Sequence, residues 1–317
     1  MREKLFSNKL FPVALILCSM FLVGGCDIFD DDDDNATVLT DPTTPWTRTA
    51  IADNWLSTNP FGDMHDGGWV YSAREDRLYS MYGNDNSGRT LYRINPIDNT
   101  FIIATEFLFG RHGAHPVIDS TGTYVYMPPS QNTAELERFN TLTSVRETLA
   151  AAPSSGTFSH GAWKNNKLWI VLNDGNLYSY NPADNTWSAA LATFTAYANV
   201  ATSGPASNLI YIIVDPGDFF SYNIVTDNVA TLTSHPSGFG LGGNAQFTWF
   251  GSKVGFIYAK DAGSGYAPAI YDISTSTWHA LTDPKTSDSY EGHATYDSKR
   301  KRLYFGGTNS EAWYYQF

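Results

Sequence analysis

One pattern of four strand-like runs recurs six times along this chain, and that repetition limits it to a small set of folds. The clearest copy contains Leu177–Ala190, LYSYNPADNTWSAA. Leu177, Ser179 and Asn181 alternate with Tyr178 and Tyr180, the polar run Pro182-Ala183-Asp184-Asn185 follows, and a second alternating run opens at Trp187. Alternation broken by Pro, Asp and Asn predicts a β-hairpin. A lone hairpin buries too little apolar surface to persist, so the number of copies decides the fold.

Two anchors advance in step. Asn181 has counterparts at Asn95, Asn140, Asn223, Asp272 and Gln316, separated by 45, 41, 42, 49 and 44 residues in chain order. The strand before it recurs as LYSMYG from Leu78, VYMPP from Val125, LWIVLN from Leu168, IYIIVD from Ile210, VGFIYA from Val254 and LYFGGT from Leu303. Units of this length holding four strands are the size of propeller blades. An aromatic fraction of 15% beside a charged fraction of 16% suits such an all-β chain.

Tyr180/Trp187 and Tyr271/Trp278, more weakly Ile94/Phe101 and Tyr222/Val229, and the double glycine Gly306-Gly307 make the unit resemble the kelch repeat. No Trp-Asp dipeptide of the WD40 type is present. The resemblance implies a six-bladed, kelch-like β-propeller over residues 45–317. The last unit stops at Phe317 without a fourth strand, whereas Pro45–Ala50 resembles the outer strands Thr186–Ala190 and Thr277–Ala280. The N-terminal segment is therefore expected to pair beside Ala312–Phe317 and close the ring, which protects the open edges.

The start reads as an export signal. Arg2, Lys4 and Lys9 precede the apolar run Leu10–Val23, which is short for a membrane span and suits a signal-peptide core. Leu22-Val23-Gly24-Gly25-Cys26 resembles the lipobox of bacterial lipoproteins. That resemblance implies removal of residues 1–25, acylation of Cys26, and a lipid-anchored protein of the bacterial cell envelope, with the leaflet open. Residues 26–44, including the run Asp30–Asp34, read as a solvated acidic tether. From Cys26 to Pro45 it spans at most roughly 60 Å.

Composition excludes several functions. A net charge of −12 argues against a nucleic-acid partner. The cysteines are Cys18 and Cys26, so residues 45–317 can form no thiolate site. Galactose oxidase is a propeller enzyme of the kelch type, but its family uses a copper site with a Tyr–Cys crosslink, which this chain cannot form. Gly238–Gly243 matches G-x-G-x-x-G as a string, yet leads into a strand-like run rather than a helix.

Aligning the units on their first strands makes Tyr71, Ile118, Trp163, Ser203, Trp249 and Tyr296 equivalent. Three positions earlier stand Gly68, His115, His160, Val200, Gln246 and His293. First strands line the axis of a propeller, so His115, His160 and His293 are expected to face one another there. Arg111 precedes His115, and Tyr290 and Glu291 precede His293. Such imidazoles suit a divalent metal or general acid–base work, with Arg111 matching a substrate carboxylate. No cofactor is assigned, and a divalent metal stays open. The set is similar in residue type to that of propeller polysaccharide lyases. The alternative is structural: each His bonds a neighbouring blade's backbone. Trp163, Trp187, Trp249 and Trp278 are read as inter-blade packing, and Trp55 as the better ligand-stacking aromatic. The expected function is binding of a glycan or protein ligand at the channel mouth; the alternative is a lyase-like enzyme acting on polysaccharide through the histidines.

Overall fold

The computed structural model describes residues 48–50, 67–81, 88–111, 113, 115–156, 160–194, 198–204, 208–214, 217–235, 246–250, 254–260, 266–281, 293–306 and 312–316. All fall in one unit, Ala36–Phe317. They form six antiparallel sheets arranged as a six-bladed β-propeller. Blade 1 comprises Gly68–Ser72, Arg77–Met81, Thr90–Ile94 and Phe101–Glu106. Blade 2 comprises Val117–Ile118, Tyr124–Met127, Glu137–Asn140 and Arg146–Thr148, and blade 3 Ala162–Lys164, Lys167–Val171, Asn176–Asn181 and Thr186–Trp187. Blade 4 is built from Ala198–Ser203, Leu209–Val214, Asp218–Asn223 and Asn228–Thr231. Blade 5 uses Gln246–Phe250, Val254–Lys260, Tyr266–Asp272 and Thr277–Ala280, and blade 6 His293–Asp297, Arg302–Gly306 and Ala312–Gln316. In blade 3 a short extra strand, Ala192–Thr193, also pairs with Asn176–Leu177.

The missing strand comes from the other end of the chain. Arg48–Ala50 lies antiparallel to Ala312–Gln316, with Arg48 opposite Tyr315 and Ala50 opposite Trp313. It is the fourth strand of blade 6, as the terminal repeat requires; residues 45–47 lie outside the described residues.

The recurring Asn/Asp marks the start of the turn from third to outer strand. Its side-chain oxygen accepts from backbone N–H two residues on: Ile97 to Asn95 at 3.1 Å, Leu142 to Asn140 at 2.9 Å, Ala183 to Asn181 at 3.2 Å, Val225 to Asn223 at 3.0 Å and Ser274 to Asp272 at 2.8 Å. These are Asx turns. The chain then reverses at a left-handed residue four positions past the anchor: Asn99, Ser144, Asn185, Asp227 and Ser276, all with φ between 55 and 60°. The turn brings the aromatic pairs opposite each other. Tyr180 pairs with Trp187 and Tyr271 with Trp278, with ring centroids 5.3 and 5.0 Å apart. Each indole also donates to the preceding blade, Trp187 to the Ala150 carbonyl and Trp278 to that of Thr233, both at 2.9 Å.

The middle strands are buried on both faces, which explains their unbroken apolar runs. Ile210, Ile212 and Val214 of blade 4 pack on Trp169, Val171 and Leu177 of blade 3. On the other face Tyr211, Ile213 and Phe219 meet Phe247, Ile257 and Tyr271 of blade 5. The same kind of cluster joins every neighbouring pair, including blade 6 to blade 1, where Tyr304 packs on Trp69, Tyr71 and Leu78. Trp163 and Trp249 belong to these interfaces, stacked on Tyr126 at 5.0 Å and tilted on Tyr211 at 4.8 Å.

The repeat alignment slips by one residue in blade 5. Leu78 and Leu303 pair with Tyr71 and Tyr296 as aligned, but Val254 pairs with Phe250 rather than Trp249. Three residues separate those strands in the sequence, against four in the turns Ala73–Asp76 and Ser298–Lys301 of blades 1 and 6. In blade 4 a bulge between Val200 and Ser203 breaks the count instead.

The joint between the last blade and the first is also ionic. Both Arg300 terminal nitrogens donate to Asp76, at 2.6 and 2.7 Å, and Asp297 holds the same guanidinium at 2.8 Å. Arg300 and the Tyr71 hydroxyl hold the Asp76 carboxyl at about 2, against the opposing effect of burial. Asp76→Asn is expected to lower stability by on the order of 1 kcal/mol near neutral pH, as for a partly exposed pair. Because folding lowers this pKa from its ordinary 3.8, the stabilisation is complete above about pH 4 and lost as pH falls to about 2. Denaturant melts of both proteins across that range should converge at the acid end.

Candidate functional site

The first strands bring the three histidines together at the axis. Each stands where the chain enters its first strand, and all are buried, with 1, 4 and 0% of His115, His160 and His293 exposed. The His115 and His160 rings lie 3.3 Å apart between centroids at 31°, and His293 lies 5.7 Å from His115. Blade 1 contributes Gly68 at the equivalent position. A Cβ there would stand 2.5 Å from Nδ1 of His115, so the missing side chain makes room for the imidazole. His293 in turn lies 6.2 Å from the Trp69 ring.

Gln246 completes the same layer. Its Oε1 accepts from the Ala294 N–H of blade 6 at 2.9 Å and the Trp69 N–H of blade 1 at 3.3 Å, and its Nε2 donates to the Trp69 carbonyl at 2.7 Å. One buried amide thus ties blade 5 to the two blades beyond it.

The electrostatics follow from burial. Both ring nitrogens of His115 and Nε2 of His160 make no hydrogen bond among the described residues. Burial first, then the neighbouring imidazoles, pushes His115 and His160 well below the ordinary histidine value of 6.5, so both are neutral at neutral pH. Neither alternative drawn from the sequence describes these two rings fully. Among the described residues no group of three His, Cys, Asp or Glu side chains is arranged to hold a metal. Nor do His115 Nδ1, His115 Nε2 and His160 Nε2 bond to a neighbouring backbone; the two rings stack on each other. As placed, His115 and His160 are two neutral imidazoles packed against each other at the axis.

Arg111 is occupied elsewhere. It is fully buried, pairs with Glu137 at 3.0 Å, and donates to the carbonyls of Pro128 at 3.1 Å and Glu135. Its charge is matched inside blade 2, by Glu137 and two backbone carbonyls. Glu137 also accepts from the backbone of Leu108 at 3.0 Å and Phe109 at 3.4 Å, pinning the link between blades 1 and 2. Its sequence signal was a carboxylate between Leu136 and Phe139 in an otherwise strand-like run, LERFN. Tyr290, Glu291, Cys26 and Trp55 lie outside the described residues. A cleft of about 450 Å³ between blades 3 and 4, lined by Thr193, Phe194, Asp218, Phe220 and Val229, offers one carboxylate and no base.

Two outcomes follow. Glu137→Ala strands the buried Arg111 charge and should cost about 3–5 kcal/mol in chemical denaturation. The histidines act in the same pH direction as Asp76 but from a higher pH: the unfolded chain takes up protons near pH 6.5 that His115 and His160 refuse when folded. Stability should therefore fall on acidification below that point by about 1.4 kcal/mol per pH unit for each histidine kept neutral, and the His115→Gln/His160→Gln double variant should flatten that slope. The chain matches no protein-family model and no curated protein.

Proposed function

We propose that this is a lipid-anchored bacterial envelope protein whose kelch-like propeller, residues 45–317, binds a glycan or protein ligand at the channel mouth. Residues 1–25 are its signal peptide, Cys26 its acylated residue, and 26–44 its tether. The observation that carries the binding role is the difference between the two ends of the propeller. At one end the turns from third to outer strand share one Asx design. At the other, where His115, His160 and His293 enter their strands, the connections between blades vary. They range from the short link between Thr193 and Ala198 to the long ones between Thr231 and Gln246 and between Ala280 and His293. Binding residues concentrate on variable loops held by a rigid scaffold. Tyr290 and Glu291 belong to one of these connections and are its first candidates for ligand contact.

Full-length protein screened against a glycan panel and an envelope extract is expected to capture a ligand. Replacing residues 282–292 by a short Gly-Ser link should abolish capture and leave the thermal melt nearly unchanged. Capture that survives this replacement and the equivalent one at 236–245 would count against the assignment. Cys26→Ser should lose fatty-acid labelling and move the protein to the soluble fraction.

A further inference from the structure

Among the described residues, large exposed apolar side chains recur in equivalent turns. They are Ile97, Ile102 and Ile103 in blade 1, Leu142 and Val145 in blade 2, Val225 and Val229 in blade 4, and Leu108. All but Leu108 lie in a turn from third to outer strand or in the first three residues of the strand that follows. Isolated exposed apolar residues are ordinary on a protein surface, but the same kind of exposed side chain recurring in equivalent turns of several blades is not.

The turn design sharpens the pattern. The residue two past the Asx anchor is Ile97, Leu142, Ala183 and Val225 in blades 1 to 4, and Ser274 in blade 5. At this tip Ile97 is 70% exposed, Leu142 54% and Val225 66%. Nothing in the turn requires an apolar group there, since Ser274 serves in the same geometry with its N–H bonded to Asp272. Each tip adds apolar area facing outward from the same end of the ring.

The chain's own N-terminal segment reaches the propeller at this end. Arg48 opposes Tyr315, next to the last residue of its strand, so Arg48–Ala50 starts at the end where the other outer strands start. We infer that this end of the propeller docks on the lipid bilayer, with Ile97, Leu142 and Val225 entering the interface between headgroups and acyl chains. This rests on the lipid anchor at Cys26 proposed above, which delivers the chain to a bilayer. The chemistry favours neutral lipid. The turns carry Asp98, Asp184 and Asp227 beside the apolar tips, and the whole chain has a net charge of −12, so contact comes from apolar burial rather than attraction to anionic headgroups.

The test places an environment-sensitive fluorophore on single cysteines introduced at Leu142 or Val225, in the full lipidated chain on phosphatidylcholine vesicles containing spin-labelled lipid. A control label replaces Asn173, in the turn between second and third strands at the opposite end. Labels at 142 and 225 should shift blue and be quenched severalfold more than the label at 173. Equal, weak quenching at all three positions overturns docking, since the propeller then stands free on its tether; stronger quenching at 173 overturns it by reversing the orientation. A blue shift at 142 that needs higher protein concentration but no lipid assigns the face to a second copy and also overturns it.

A separate arm uses the unanchored Cys26→Ser full chain. Its sedimentation with phosphatidylcholine vesicles should drop on the order of tenfold in the Ile97→Asp/Leu142→Asp/Val225→Asp variant, with circular dichroism unchanged. If Cys26 is not acylated in cells but this vesicle binding and its loss are seen, the anchor reading fails and the docking surface stands. Acylation without any effect of the triple variant overturns docking alone.

Discussion

No blade of this protein owns a core. The middle strands bury both faces, and six of the clusters that bury them draw from two neighbouring sheets: Ile212 of blade 4 packs on blade 3, while Ile213 beside it packs on blade 5. Burial of this two-sided kind stabilises a sheet only when both neighbours are present. The ring therefore has to close, and the joint between blades 6 and 1 is closed by three separate means. Tyr304 packs on Trp69 and Leu78, Arg300 grips Asp76, and Gln246 reaches from blade 5 to the backbone of Trp69.

The axis shows what closure demands of side chains. Six first strands converge there, and the layer at their entry is filled with unlike groups: no side chain at Gly68, stacked imidazoles at His115 and His160, a backbone-binding amide at Gln246. A symmetric ring of large residues would not fit. Arg111 and Glu137 apply the same economy further out. Their buried pair orders the segment between blades 1 and 2, and each is acceptable only because the other is there.

The repeat was legible because its markers are local. An Asx turn with a left-handed fourth residue constrains Asn140 and Ser144 whatever packs nearby, and a Tyr–Trp spacing of seven follows from one hairpin register. The absent fourth strand of blade 6, and its replacement near Trp46, followed from counting the same markers. The gathering of His115, His160 and His293 was legible for the same reason. What they do there was not, because ring stacking depends on which neighbour is small, and Gly68 lies far off in sequence. The surroundings of Arg111 were not legible, because spacing cannot show that a charge is buried, nor that Glu137 on another strand matches it. The one-residue slip in blade 5 came from a turn length that the strand pattern does not reveal.

The register of Arg48 with Tyr315 has a temporal meaning as well as a spatial one. Arg48–Ala50 cannot pair until Ala312–Gln316 has been made, because the two strands lie more than 260 residues apart in sequence. Until Ala312–Gln316 exists, blade 6 lacks two of its strands and blade 1 lacks a finished neighbour. Contacts of such long sequence separation form slowly. The same pairing makes the closing contact of the ring one of the longest in sequence separation that the fold contains.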